Sequence, residues 1–174
     1  MYVDLNESYP QTLFQGDVIK DFPFFIYDSA KALEKVSETN FSLREGDDNT
    51  LPSLFVVETR KTKVLLLSQT CDIQRRKHIM ACPIYEVDAL LEDGTLNTKR
   101  VEALRKRQIN YWFYLPEHGE EKESLADLQT IFYVPKRILD KYLSSRIISL
   151  DDWGRHHLCW ALATYFGRPI ESKE

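Results

Sequence analysis

A cluster of small polar residues, Ser68 to Asp72, directly follows the most apolar stretch of the chain. It places a thiol beside a carboxylate, Cys71 and Asp72, and the basic run Arg75-Arg76-Lys77 comes soon after. Neighbouring cations favour the thiolate form of cysteine, which is the nucleophilic form. The pattern therefore predicts either a reactive thiol at Cys71 or a binding surface. A cysteine that only fills space at a strand end is the plainer interpretation.

Three carboxylates and one histidine are further candidates for catalysis. Asp17 and Asp127 fall on predicted strands and Asp72 follows another, so the three could converge for acid–base chemistry or around a divalent cation. His156 is expected to face solvent and could transfer a proton. Carboxylates are also common in turns, where they accept backbone hydrogen bonds, and we favour that interpretation. The cysteines and histidines lack compact zinc-ligand spacing, so we expect no metal and no cofactor.

Two basic segments could bind a partner. One is Arg75 to Lys77, and the other is a predicted helix from Thr98 to Gln108 that precedes the aromatic run Tyr111 to Tyr114. Cations beside aromatic rings are typical of surfaces that bind single-stranded nucleic acid. The aromatic residues could equally belong to the core, and the charges to a solvated helix face. The residues predicted to bind are Ser68, Gln69, Thr70, Cys71, Asp72, Arg75, Arg76, Lys77, Arg105 and Arg107.

The nature of the partner is constrained by the overall charge. The net charge of -4 gives no global attraction to nucleic acid or to anionic lipid. A protein partner is therefore the first expectation, and nucleic acid is possible through the local basic segments. No apolar run approaches the roughly 20 residues needed to span a bilayer, so we expect no membrane association.

Hydrophobic patterning predicts the strands and helices that position these residues. The run Val64 to Leu67 predicts a strand buried on both faces within Lys63 to Ser68. Further strands are predicted at 16–27, 53–58, 79–87, 111–115 and 126–134. Helices are predicted within insertions at about 29–50 and 90–108, at 135–143, and at about 150–166.

The last of these helices has the clearest pattern. Its apolar stripe occurs at helical spacing and predicts packing across the sheet, with Ser149 as the N-cap. The stripe comprises Leu150, Trp153, His157, Leu158, Ala161, Leu162 and Tyr165.

Length and composition predict one domain covering residues 1–174. Of these residues, 43% are hydrophobic and 29% are charged, which is ordinary for a globular protein. The number of strands and helices indicates a mainly β protein with helices, of the α+β class. Three cysteines without disulfide spacing, and no signal sequence, predict a cytoplasmic protein.

The order of several motifs resembles that of the MazF/PemK-type toxin family. The motifs are QGDVI, KVLLLSQ, MACPIYE and ADLQTIFYV, between about Gln15 and Leu139, and a helix follows them. The resemblance implies an SH3-like fold, a strongly bent antiparallel sheet or barrel, with inserted helices and a C-terminal helix packed on it.

The residues that carry ribonuclease activity in that family are not matched. Its ribonucleases have an Arg-Pro pair before the buried strand, where this chain has Thr62-Lys63. They also have Thr or Ser after the proline of the next strand, where this chain has Ile84-Tyr85. We therefore transfer no catalytic residue from the family.

The resulting hypothesis is a non-catalytic binding or regulatory module of a bacterial-type toxin or defence system. One alternative is a nuclease toxin of the same fold with a relocated site, which would use carboxylates or His156 for proton transfer. Another is a thiol-dependent enzyme that uses Cys71. The sequence has no Gly-rich phosphate loop, GxSxG elbow, HExxH helix or paired CxxC, which disfavours the enzyme classes built on these motifs.

Overall fold

The computed structural model describes residues 1–3, 5, 9–26 and 58–167. The chain divides into two compact units, one formed by Met1–Phe22 with Thr62–Glu174 and the other by Pro23–Lys61. Most of the second unit lies outside the described residues, including nearly all of the strand predicted at 53–58 and the insertion predicted at about 29–50. The architecture below is that of the first unit, except that β2 ends and β3 begins in residues of the second.

Eight strands of the described residues form one sheet, and every pair with a described register is antiparallel. Their order across the sheet is β1-β8-β2-β3-β4-β6-β5, and β7 also pairs with β4. The bounds are β1 Tyr2–Val3, β2 Asp17–Ile26, β3 Glu58–Leu66, β4 His78–Glu86, β5 Trp112–Leu115, β6 Ser124–Asp127, β7 Phe132–Pro135 and β8 Arg146–Leu150.

Five α-helices and one 3-10 helix connect or follow these strands in the described residues. They are α1 Thr70–Arg75, α2 Val87–Glu92, α3 Thr98–Arg105, α4 Lys136–Leu139, the 3-10 helix Asp140–Ser145 and α5 Asp152–Phe166. None of these helices is long and apolar enough to cross a membrane. The mixed α+β class with an antiparallel sheet is therefore confirmed.

Strand β4 is shared by three neighbours. It pairs with β3 along one edge, while its other edge pairs with β7 from His78 to Ala81 and with β6 from Ile84 to Glu86. Pro83 lies where this second edge changes partner. The backbone N–H and C=O of Met80 both point towards the β3 side. These groups change direction from each residue to the next, so the backbone nitrogen and C=O of Pro83, three residues later, point towards the other edge. The missing N–H of proline therefore falls in the gap between β7 and β6.

The apolar run at the end of β3 is buried on both faces, as the sequence predicts. Leu65 and Leu67 pack into a first core cluster, and Val64 and Leu66 pack into a second. The first also receives Leu158 of α5, so this helix packs on the sheet. A third, smaller cluster joins α2 and α3 to β6.

Gly16, in the QGDVI motif, directly precedes β2 and bonds to β3 on one side and to β8 on the other. Its N–H donates to the Leu66 carbonyl, and its own carbonyl accepts from the Leu150 N–H. A Cβ atom at this position would lie 2.8 Å from the Leu150 side chain, and the φ angle of Gly16 is +84°. Both facts require glycine.

Backbone ladders do not close this sheet into a barrel within the described residues, where β1 and β5 have no pairing with each other. A side chain bridges the two ends instead, because the Tyr2 hydroxyl donates to the Pro116 carbonyl at 2.8 Å. Side chains from β1 and β5 also pack into the same first core cluster.

The strand predicted at 126–134 is wrong as one element. The structure has two strands, β6 and β7, separated by a turn. Asp127 accepts hydrogen bonds from the Gln129 N–H and the Thr130 hydroxyl, which is ordinary turn chemistry. The short elements β1, β8, α1 and α2 are absent from the sequence-based prediction.

The C-terminal helix is confirmed, but its predicted cap and stripe are partly wrong. Asp151, not Ser149, caps α5, and its carboxylate accepts from the Gly154 N–H at 2.6 Å. Ser149 is instead a buried residue of β8. Trp153 is 55% exposed, so it does not belong to the packed stripe.

We predict that Asp151→Ala lowers the free energy of unfolding by about 1 kcal/mol, the usual cost of losing an N-cap. Asp151→Asn is the matched control, because asparagine caps helices about as well. Both are measured by urea unfolding at neutral pH. Equal stabilities of the two variants would contradict the capping role.

The difference in stability between the native protein and Asp151→Asn has an expected pH dependence. The hydrogen bond from the Gly154 N–H, followed by the positive charge of the Met1 amine, lowers the pKa of Asp151. A lowered pKa in the folded state contributes stability above the unfolded-state pKa, and that stability is lost as the pH falls through the folded-state pKa. The stability of the native protein should therefore fall relative to that of Asp151→Asn as the pH is lowered into acid, which urea unfolding at several pH values measures.

Candidate functional site

The polar residues that follow β3 turn at once into helix α1. The Ser68 hydroxyl accepts the Met80 N–H at 2.9 Å, so it extends the contact between β3 and β4 by one residue. The Gln69 carbonyl then accepts the N–H groups of Asp72 and Ile73, and the Ile73 side chain is buried. Ser68 has a structural role, because its hydroxyl already accepts the Met80 N–H and only 7% of the residue is exposed.

A cleft of about 650 Å³ opens beside α1 and the first residue of β4. Its lining residues are Asp72, Arg75, Arg76, Lys77, His78 and Tyr133. A second cleft, of about 470 Å³, shares three of them and is lined by Arg76, Lys77, His78, Pro135, Lys136, Arg137 and Asp140. We call these residues together the basic surface.

Strand pairing brings the two halves of the basic surface together. In the β4–β7 register, His78 lies opposite Pro135 and Met80 lies opposite Tyr133. The Lys136 N–H donates to the Lys77 carbonyl at 2.8 Å, which extends the ladder beyond both strands. Residues far apart in the sequence therefore share one face of the molecule.

Among the described residues, the basic surface carries five Lys or Arg side chains and two carboxylates. The carboxylates each pair with one cation, Asp72 with Arg76 at 3.3 Å and Asp140 with Lys136 at 2.8 Å. Within the described residues, three more cations make no side-chain hydrogen bond or ion pair: Arg75, Lys77 and Arg137. These three are exposed to solvent, so the surface can bind an anion without first breaking an internal ion pair.

Of the predicted binding residues, four line the basic surface and the others do not. Those four are Asp72, Arg75, Arg76 and Lys77. Thr70 lies towards the protein, where its hydroxyl accepts the Gln15 N–H at 3.3 Å. Gln69 and Cys71 are exposed, and the Cys71 sulfur lies 3.8 Å from the Gln69 Oε1.

Arg105 and Arg107 lie at other places. Arg105 makes two hydrogen bonds to the Glu123 carboxylate, at 2.6 and 2.7 Å. Arg107 stacks on the ring of Trp153, 5.0 Å from its centroid. Both cations are therefore already engaged in contacts, unlike the three free cations of the basic surface.

Asp17 belongs to a buried polar network. Its carboxylate accepts hydrogen bonds from the Ser149 hydroxyl at 2.6 Å, the Phe14 N–H at 2.9 Å and Arg146 at 3.2 Å. Burial raises the pKa of Asp17, although these hydrogen bonds and the charge of Arg146 oppose that effect. Arg146 also donates to the carbonyls of Pro10 and Thr12, so the network ties the segment before β2 to β8.

The candidate carboxylates therefore do not meet in one site. Asp17 is enclosed in its network, Asp127 holds a turn, and Asp72 lies on the basic surface. His156 is exposed on α5. No group of three or more His, Cys, Asp or Glu residues suited to a metal ion occurs in the part of the chain that the structure describes.

Tyr133, Lys136 and Arg137 are among the residues of the basic surface that escape sequence reasoning. They lie in or next to the region predicted as one continuous strand, and only the pairing of β7 with β4 brings them beside Arg76 and Lys77. The signal in the sequence is the pair Lys136-Arg137 directly after a strand, which is too common a feature to single out alone.

Comparison with known proteins adds no family to these observations. No protein-family model matches this chain, and a search of curated proteins finds no match either.

We predict that Ser149→Ala lowers the free energy of unfolding by about 2 kcal/mol, because it leaves the buried Asp17 carboxylate without one of its hydrogen bonds. The measurement is urea unfolding monitored by circular dichroism. Ser144→Ala is the matched control, since Ser144 is exposed and should change stability by less than about 0.5 kcal/mol. Equal effects of the two substitutions would contradict the structural role of the network.

We also predict that Cys71 is alkylated in the native protein at the rate of an ordinary exposed thiol, because no basic group is hydrogen-bonded to it within the described residues. Cys82 should stay unmodified, since it is fully buried and burial raises the pKa of its thiol. Mass spectrometry of peptides after iodoacetamide treatment at neutral pH measures both. An alkylation rate at Cys71 far above that of a cysteine peptide would instead favour the thiol enzyme.

Proposed function

We propose that this chain is a non-catalytic binding module whose basic surface recognises a polyanionic partner. The resemblance to the MazF/PemK-type toxin family adds the biological setting, a cytoplasmic component of a bacterial-type toxin or defence system. On the same resemblance, we propose that the antiparallel sheet is the counterpart of an SH3-like barrel, with α5 as its C-terminal helix.

One observation carries the proposal: Arg75, Lys77 and Arg137 lie together on the basic surface and have no side-chain partner within the described residues. An exposed cation that has no carboxylate partner loses little when it binds an anion, because no internal ion pair is broken. Several such cations beside two adjoining clefts create a local positive potential on a protein whose net charge is negative. Local complementarity of this kind favours association with anionic groups.

The absence of a convergent acid–base site in the described residues supports binding over catalysis. Asp72 is the candidate carboxylate that lies on the basic surface, and it is paired with Arg76. His78 also lines both clefts, but no hydrogen bond between His78 and a carboxylate occurs within the described residues. A nuclease needs groups that take and give a proton at the reacting phosphate, in addition to cations that bind it.

We predict that the double variant Arg75→Ala/Lys77→Ala weakens binding of polyanions by about tenfold or more at moderate salt. Both cations are exposed and have no side-chain partner in the part of the chain that the structure describes, so the loss should reflect phosphate or carboxylate contacts and not misfolding. The probes are heparin, poly-glutamate and labelled oligonucleotides. Binding should also weaken as salt rises, because each contact with a polyanion releases counterions.

The matched control is Lys99→Ala/Lys106→Ala, which removes two exposed lysines of the α3 region that lie outside the basic surface. This control should bind as the native protein does. Equal weakening by both double variants would mean that general charge, and not the basic surface, carries the binding.

The same samples test the nuclease alternative. Labelled RNA and DNA are incubated with the protein, with and without magnesium, and should remain intact. Cleavage that is lost in Asp72→Ala would overturn the non-catalytic proposal.

A further inference from the structure

We infer that the polyanion bound by the basic surface is single-stranded nucleic acid, with a base stacked on Tyr133. This inference rests on the proposed function and names the class of partner for the same site. It depends on Tyr133, the one Phe, Tyr or Trp side chain among the described residues that line the two clefts.

Tyr133 has no role in the core that would explain a large ring at its position. It is 68% exposed, whereas its neighbour Val134 is buried. Phe132 packs against Phe22, with a distance of 6.4 Å between ring centroids. Strand alternation therefore directs Phe132 and Val134 inward and leaves the Tyr133 ring on the outer face, beside the unpaired cations.

An exposed ring that adjoins free cations matches the two parts of a single-stranded nucleic acid. Its phosphates attract Lys and Arg, and its bases are free to stack on an aromatic side chain. Sequence matters little to such contacts, because every base has a π-face. The structure supplies both kinds of group within one cleft, where Arg75 and Lys77 line the same walls as Tyr133.

Other polyanions would use only half of these groups. An acidic peptide can pair its carboxylates with the cations, but it offers no flat base to the Tyr133 ring. A duplex keeps its bases stacked inside, so it too would leave the ring in water. A flexible strand can also follow the surface from the Tyr133 cleft to Lys136 and Arg137, since the two clefts share Arg76, Lys77 and His78.

The experiment compares four probes by fluorescence anisotropy or competition at one salt concentration. The probes are labelled oligothymidylate, labelled oligouridylate, a mixed-sequence DNA duplex and poly-glutamate. The single strands should bind more tightly than the duplex or poly-glutamate. Comparison of the first two shows whether DNA or RNA is preferred.

Substitution of Tyr133 separates stacking from charge. Tyr133→Ala should weaken single-strand binding about tenfold and leave poly-glutamate binding unchanged. Tyr133→Phe should bind single strands as the native protein does, because it keeps the ring. Phe166→Ala is the matched control, since Phe166 is also an exposed aromatic residue, 61% exposed at the end of α5.

The possible failures are distinguishable. If poly-glutamate or the duplex binds as tightly as the single strands, or if Tyr133→Ala leaves single-strand binding unchanged, this inference is wrong while the binding module stands. If none of the four probes binds, the proposed function itself is wrong. Unfolding of Tyr133→Ala, detected by circular dichroism, would also overturn the inference, because an exposed stacking residue should be dispensable for folding.

Discussion

The arrangement of the basic surface depends on one edge of β4, which pairs with two different strands in turn. β4 pairs with β7 through its first residues and with β6 through its last, and Pro83 lies at the change. A proline inside a sheet normally costs a ladder hydrogen bond. Here its missing N–H faces the gap between the two partners, so the division of the edge and the tolerance of the proline have the same cause. The pairing with β7 in turn brings Tyr133 and α4 beside α1.

Much of the sheet could be predicted because its strands carry strong local patterns. The run Val64 to Leu67 is apolar throughout, and β2 and β4 are rich in β-branched or aromatic residues, so burial and propensity agree. β8, Arg146–Leu150, was not predicted, because a short strand beside helical patterns has little signal of its own. The split between β6 and β7 was missed because alternation continued across the turn that Asp127 and Thr130 hold.

The candidate site was predictable only where its residues are consecutive. Arg75 to Lys77 form a run of cations, and such a run on a short helix end is exposed whatever the fold. Tyr133 and Lys136 join it through long-range pairing, which no local pattern contains. Charge type was also a poor guide to role: Arg105 and Arg146 have carboxylate partners, whereas Arg137 has none within the described residues. Whether a cation is free to bind depends on its neighbours in space.

The alternating direction of backbone groups along β4 has a consequence for how this strand can change in length. Removing or adding a single residue between Met80 and Pro83 would turn the proline towards β3, where its absent N–H would interrupt a continuous ladder. A change of two residues would restore its direction. Relatives of this chain should therefore keep the parity of this spacing, odd or even, more strictly than the identity of the residues within it.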